Sequence, residues 1–353
     1  MEVEIRTLTP LWTGGAESGA VDRVHETAII GSLRWWYEAI LRGLGGKVCD
    51  PTMQKCLYDP SKRNHGLCDV CKVFGATGWR RRFRISIICD RTEPDPTVKP
   101  LVKADRSYVD RRGRKRTPTW YFPENLKDKP RSGSLTIRIQ STTPKGLETG
   151  AKLEFQPAII GGLLQFMADW VTIGARAQMG FGVFELPGGR LDTAPLYDWL
   201  TANAGTRTYT RMPSLRNIFL ARIRLENVKM QETFNLKYDL RQLFSGQQNT
   251  SLRHFIMGTT KGQRMAAKVK MSRPYGNRLM RVWGWIPEQA EVYQGFWDRD
   301  SVVGAIHEHL RTRYSLEVWR EMNSPRDTET PNNGDFREFL RSLLRLEEKR
   351  YGT

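Results

Sequence analysis

No stretch of this sequence approaches twenty consecutive apolar residues, which excludes a membrane-spanning helix of ordinary length. Nor do the first residues follow the basic-then-apolar layout of a secretion signal, so a soluble, cytoplasmic protein with no membrane partner is expected. Histidine is scarce, with five in 353 residues, and chemistry built on imidazole has few candidates. The five cysteines, at 49, 56, 68, 71 and 89, are odd in number and fit a reducing compartment better than a disulfide framework. No Gly-Lys-Ser or Gly-Lys-Thr closes a glycine-rich loop at P-loop spacing, and no Ser-His-Asp or Cys-His layout can be read.

Acid is the other shortage. Lys and Arg total 56 against 38 Asp and Glu, a net charge of +18 with a pI near 9.9. Folding does not call for such an excess, and a polyanionic partner does. Residues 76–131 hold sixteen Lys or Arg and seven Asp or Glu, so half the net charge sits on under a fifth of the chain. Trp79, Phe83, Tyr108, Trp120, Tyr121 and Phe122 lie among those cations. A solvated basic surface would explain the charge alone. Single-stranded nucleic acid explains both parts, because cations track phosphates while rings stack bases for about 1–3 kcal/mol each.

Along the chain, residues 2–8 alternate as a half-buried strand that stops at Pro10. Gly14 and Gly15 form a hinge, and a polar loop carries Asp22, Arg23 and His25. Ile29, Leu33, Trp36, Tyr37, Ile40 and Leu44 then recur at helical spacing, with Arg34, Glu38 and Arg42 opposite. Residues 45–78 have no period and read as a cysteine-bearing insertion. Strands are expected over 80–89 and 135–143, separated by a charged, six-proline segment at 90–132 that reads as a flexible arm ordering on a ligand. Pro157 opens an apolar helix to about 173, and a glycine-rich turn, Gly174 to Gly182, feeds a strand at 181–186.

The order β-α-β-β-α-β is the ferredoxin-like arrangement shared by RNA recognition motifs. An internal echo, Ile29-Ile-Gly-Ser-Leu33 and Ile159-Ile-Gly-Gly-Leu163, falls at equivalent helix starts. Residues 187–212 read as a linker. Beyond it we expect a strand at 218–226, a helix at 235–245, strands near 253–258 and 280–287, and helices at 299–313 and 335–350 with a Pro/Asn/Asp-rich loop between them. The fold class is therefore α+β, two tandem ferredoxin-like (RRM-like) domains at 1–200 and 212–353 with long insertions.

Cys68-Asp-Val-Cys71 has the spacing by which one turn offers two thiolates to tetrahedral zinc, and Cys49 and Cys56 lie upstream. The alternatives are four zinc ligands, with His65 as a substitute, or idle buried thiols. Cys89, within a strand pattern, reads as a small core residue. Around Arg176 and Gln178, the glycine-rich turn either presents N–H groups to a phosphate or merely needs its backbone angles. Asp22 and His25 are the available catalytic candidates for a ribonuclease, although no partner for His25 can be named from sequence.

Thr9-Pro-Leu-Trp-Thr-Gly-Gly15, Ile30-Gly-Ser-Leu-Arg-Trp-Trp36, Cys68-Asp-Val-Cys-Lys-Val-Phe-Gly75 and the Gly174–Gly182 turn together resemble the repeat-associated mysterious protein (RAMP) superfamily. Within it they are similar to the first subunits of the Cmr complex, the type III-B CRISPR RNA-guided effector. The likeness covers residues 1–186 and thins afterwards to Gly262–Arg273 and Arg281-Val-Trp-Gly-Trp-Ile-Pro287. The resemblance implies a non-catalytic subunit that binds single-stranded guide and target RNA beside other RAMP subunits, near the guide 3′ end, in antiviral defence. It makes the alternative, a guide-processing endoribonuclease of the same superfamily using His25 or Asp22, the weaker reading. Joined to the charge pattern, it makes Gly14, Gly15, Arg23, Ser32, Arg34, Arg80, Arg81, Arg82, Lys103, Arg106, Arg176, Gln178, Lys268, Lys270 and Arg273 the expected RNA contacts, with Arg34 foremost.

Overall fold

The computed structural model describes residues 1–15, 22–50, 52–53, 56–99, 101–110, 112–121, 129–142, 154–245, 250–260, 262–330 and 334–346. Phe122 and residues 143–153 fall outside that range.

β1 (Glu2–Thr7) buries Val3 and Ile5 and exposes Glu2 and Glu4, as its alternation requires. α1 (Glu26–Gly43) starts after an extended His25 and buries the Ile29–Leu33–Trp36–Tyr37–Ile40 stripe. A short α2 (Asp69–Phe74) lies in the cysteine loop. β2 (Phe83–Pro94) follows, then two small two-stranded antiparallel sheets made by β3 (Leu101–Lys103) with β6 (Thr119–Tyr121), and β4 (Tyr108–Val109) with β5 (Lys115–Arg116). β7 (Arg131–Ser141), α3 (Pro157–Trp170) and β8 (Phe184–Glu185) complete the first half. The first sheet runs β2-β7-β1-β8, every neighbouring pair antiparallel, with Val3 opposite Ile137 and Ile5 opposite Leu135.

α4 (Ala194–Ala202) precedes β9 (Ile218–Arg224), α5 (Glu232–Gln242), α6 (Thr250–Met257), β10 (Val269–Met271), β11 (Leu279–Trp285), α7 (Arg299–Arg313), β12 (Ser315–Glu321) and α8 (Phe336–Leu343). The second sheet runs β10-β11-β9-β12, again antiparallel throughout. Both sheets thus place the first strand of their half between its third and its last.

β9, Ile-Phe-Leu-Ala-Arg-Ile-Arg, is apolar on both faces because both are covered. Phe219, Ala221 and Ile223 meet α5, α6 and α7, whereas Ile218, Leu220 and Trp283 of β11 join the core of the first half. The second sheet is therefore sandwiched between its own helices and α1 and α3. One side chain bolts this joint. Arg281 of β11 is buried and donates to the carbonyls of Met167, Ala168 and Val171 at 3.3, 2.5 and 2.5 Å, the open C-terminal end of α3.

Four expectations fail here, each for a physical reason. The segment 253–258, expected as a strand, is helix α6; a short apolar run does not distinguish the two, and Leu252 and Ile256 lie one turn apart on the buried side. The expected loop before the last helix contains β12, whose pattern is masked by buried charge. Arg320, fully buried, pairs with Asp327 at 3.2 Å and Glu329 at 2.5 Å, and Glu321 with Arg326 and Arg299. The expected linker 187–212 holds α4, whose Leu196, Trp199 and Leu200 are buried. The expected flexible arm 90–132 is docked along its described part. β2 continues to Pro94, Trp120 packs on Phe234 with centroids 5.0 Å apart, and Arg106 grips Asp239 of α5 at 2.7 Å. The expected helix 335–350 is described as α8, Phe336–Leu343; residues 347–353 lie outside the described part.

Candidate nucleic-acid interface

Three stretches distant in sequence meet at one cleft of about 370 Å³. α1 contributes Gly31, Ser32, Trp35 and Trp36, the glycine-rich turn contributes Gly174 to Gln178, and the second sheet contributes Lys270 and Trp283. The helix presents this face because Ile29, Leu33 and Trp36 are held in the core, which turns Gly31 and Trp35 outward. No atom outside the local chain comes within 4 Å of the place a Cβ on Gly31 would occupy, so the rim is open at that point.

The aromatic wall is well braced. Trp35 lies against Trp36 with centroids 4.7 Å apart and against Trp283 at 5.8 Å, while Trp36 and Trp283 are 5.1 Å apart. Lys270 Nζ stands 4.5 Å from the Trp283 ring and 5.7 Å from Trp35. Burial, with help from the charge of Lys268, pushes the Lys270 ammonium down to about 7. A phosphate arriving beside it would supply the missing counter-charge.

The glycine-rich turn is a rigid joint. Gly174 has φ +81° and Gly182 has φ +91°; a Cβ would fall 2.6 Å from the Trp12 carbonyl oxygen at the first and 1.9 Å from that of Ile173 at the second. These two glycines are demanded by the backbone. Between them Arg176 adopts φ +57° and lays its guanidinium 3.9 Å from the Trp12 ring centroid. Lys237 of α5 donates to the Gln178 carbonyl at 3.0 Å, clamping the turn from the second half. Ser32 receives the Gly174 N–H at 2.9 Å, so it ties α1 to the turn.

Of the expected contacts, Ser32, Arg176, Gln178 and Lys270 line the cleft. Arg34 does not, which corrects its foremost place. It donates to Glu38 at 2.9 Å, to the Gly75 carbonyl at 3.2 Å and to Cys71 Sγ at 3.3 Å. Lys268 covers the Phe255 ring at 3.4 Å, and burial lowers it to about 8. Arg273 is buried under Gly180 and beside Phe181. Arg23 pairs with Glu26 at 3.0 Å. Arg80 and Arg81 sit by Thr142, and Arg82 lies 5.9 Å from the Trp199 ring. Lys103 is on β3, Arg106 is spent on Asp239, and Gly14 is exposed with Gly15 at the last described position before residue 22.

Asp22 and His25 pair with each other at 2.6 Å, and that hydrogen bond holds the Asp22 carboxyl below its ordinary range. Neither lines the cleft. Sequence reading passed over Trp35 and Trp283 as contacts although both stood in quoted motifs. Their signal was position: each is a large aromatic one residue away from a residue the core requires.

On the other side of α1, Cys49, Cys56, Cys68 and Cys71 place their sulfurs within 4.8 Å of one another. Cys49 and Cys71 are 3.8 Å apart, and sulfurs about 2.3 Å from one tetrahedral metal lie about 3.8 Å from each other. The Cys71 N–H points at Cys68 Sγ at 3.4 Å, and Arg34 supplies a cation to Cys71. These donors could hold a metal ion. His65 is not among them: it stacks on Trp79, centroids 5.7 Å apart. Cys89, expected in the core, is half-buried at a register shift in β2.

Among the described residues no helix is long and apolar enough to cross a membrane. No curated protein sequence matches the chain. Among solved structures, the cryo-EM structure of the Type III-B Cmr-beta bound to cognate target RNA and AMPPnP contains a similar chain, at 12% identity and TM-score 0.48, covering 88% of this chain and 98% of that one. The apo crystal structure of Cmr1 from Pyrococcus furiosus is similar at 13% identity and TM-score 0.43, covering 88% and 96%. A third, Cmr-beta bound to cognate target RNA, stands at 10% identity and TM-score 0.40, covering 88% and 99%. The sequence itself matches the RAMP superfamily over residues 4–185, more than half its length, and the protein belongs to that family.

Proposed function

We propose that this chain is a non-catalytic subunit of a type III-B CRISPR effector complex that holds single-stranded RNA in the cleft between α1, the glycine-rich turn and β10–β11. Family membership and the motif set support the complex. The cleft carries the RNA reading, because it joins a braced indole wall to a half-buried lysine and an arginine, the pair of features that unpaired bases and phosphates need. Guide RNA near its 3′ end and target RNA are the expected ligands, other RAMP subunits the neighbours, and the cytoplasm the site of action. The repeated strand order supports reading each half as ferredoxin-like. A structural zinc at the four cysteines completes the assignment.

The test is binding of a single-stranded RNA across a salt series. Affinity should fall steeply as salt rises, and Trp35→Ala should weaken binding with the fold intact. Equal affinity for duplex DNA, or normal binding by Trp35→Ala and Lys270→Ala alike, would sink the reading. Purified chain incubated with labelled repeat RNA, with and without magnesium, should give no product; cleavage abolished by His25→Ala would establish the ribonuclease instead.

A further inference from the structure

A second cavity, of about 530 Å³, opens between α5 and α7 and shares no residue with the cleft. Asp239 and Gln242 of α5 with Leu243 just beyond its end, His309 and Arg313 of α7, and Arg106 from the docked arm line it. Asp239 and Gln242 are three residues apart and His309 and Arg313 four, so each helix turns one face inward.

The charges do not balance. Both oxygens of Asp239 are occupied by Arg106, with Nε to Oδ1 at 2.9 Å and Nη2 to Oδ2 at 2.7 Å. Arg106 is held in turn by its own side, donating to the Asp105 carbonyl at 3.1 Å. Arg313 has no hydrogen bond or ion pair among the described residues. His309 Nε2 is buried without a partner, an atom that folding alone would be expected to satisfy. Burial holds this imidazole below its ordinary value against the opposing pull of Asp239, and Arg313 and Arg106 push the same way as burial. An anion would settle both the spare guanidinium and the orphaned ring nitrogen.

We propose that this cavity binds a phosphate monoester of mononucleotide size, its phosphate accepting from the Arg313 guanidinium and, once the half-buried ring turns toward the cavity, from His309 Nε2–H, while the remainder lies along Leu243 and Gln242. Inorganic phosphate alone would leave most of the space empty, whereas cavities of this volume suit small organic ligands. The monoester has two possible sources, a free mononucleotide and the terminal phosphate of an RNA strand.

Calorimetric titration of the whole chain with AMP, adenosine and inorganic phosphate tests the site. AMP should bind at least ten-fold more tightly than adenosine, and Arg313→Ala and His309→Gln should each lose about ten-fold, the size of one charge-assisted hydrogen bond. Arg313 is exposed, so its variant is expected to keep the wild-type melting temperature. Trp35→Ala should leave AMP binding unchanged, which keeps this site's outcome separate from that of the cleft. A 5′-phosphorylated oligonucleotide that displaces AMP where its 5′-hydroxyl twin does not would identify the RNA terminus as the source; displacement by neither would identify the free nucleotide. AMP and adenosine binding alike, no AMP binding, or full AMP affinity in Arg313→Ala would overturn the proposal.

Discussion

Arg34 and Trp35 are neighbours on one helix and have opposite lives. Arg34 belongs to a closed polar ladder in which Glu38 accepts from Arg34 at 2.9 Å and from Arg42 at 3.1 Å, and Arg42 continues to the Pro213 and Cys49 carbonyls. Each of these charges meets its partner within the chain. Trp35 faces the cleft, where Lys270 stands 4.5 Å from the Trp283 ring and 5.7 Å from the Trp35 ring and pairs with no carboxylate among the described residues. The closed side stabilises the molecule; the open side leaves affinity for something else. Basic residues in a sequence are thus a poor guide to ligand contacts until their internal acids have been found.

Four experiments can break that contrast, and the largest effect belongs to the closed side. Replacing Cys68 with Ser removes one of four gathered sulfurs and should abolish stoichiometric zinc in protein purified without added metal, with a large fall in melting temperature. Wild-type protein carrying less than about a tenth of an equivalent would instead remove the metal from the scheme. Next, Glu38→Ala leaves the buried Arg42 guanidinium without its carboxylate and should cost about 3–5 kcal/mol in denaturant unfolding. Its loss should not be matched by Trp35→Ala.

On the open side, Trp35→Ala should weaken single-stranded RNA binding by about 1–3 kcal/mol while shifting stability little. The smallest effect is a pH profile. Lys270 titrates near 7 in the free protein, below its ordinary 10.5, so the unfolded chain holds more protons over the interval between those values. Stability should therefore rise with pH across that window. RNA affinity should fall over the same window, because phosphate favours the ammonium. Lys270→Met should remove the part of both profiles that begins near pH 7, while the lowered Lys268 and Lys237 keep a stability slope above about pH 8; an RNA profile that is already flat in the wild type would place the phosphate away from Lys270.

The first half is largely legible in the sequence. The apolar alternation of Val3 and Ile5, the Ile29–Tyr37 stripe and Pro157 at a helix start are local signals, and the sheet followed from them. The cysteine cluster was legible because metal-ligand spacing is local as well. What escaped depends on pairing across the chain. Arg320 reads as a surface charge until Asp327 and Glu329 are placed around it, and Arg106 as a phosphate contact until Asp239 is found. The cleft was half legible: its three motifs were singled out, but their meeting at Trp35, Trp283 and Lys270 is a property of the stacked layers.

The bolt made by Arg281 bears on the order in which the molecule can be made. α3 emerges from the ribosome with its last carbonyls open, and their donor lies 110 residues further on, from Val171 to Arg281. At about 5–20 residues per second, that interval lasts on the order of ten seconds. For nearly all of it the cleft has neither Lys270 nor Trp283, so under the proposed role a nascent first half has no complete seat for RNA. Under the proposed role, capture of the guide would wait until both halves exist, and a truncated product would not compete for it.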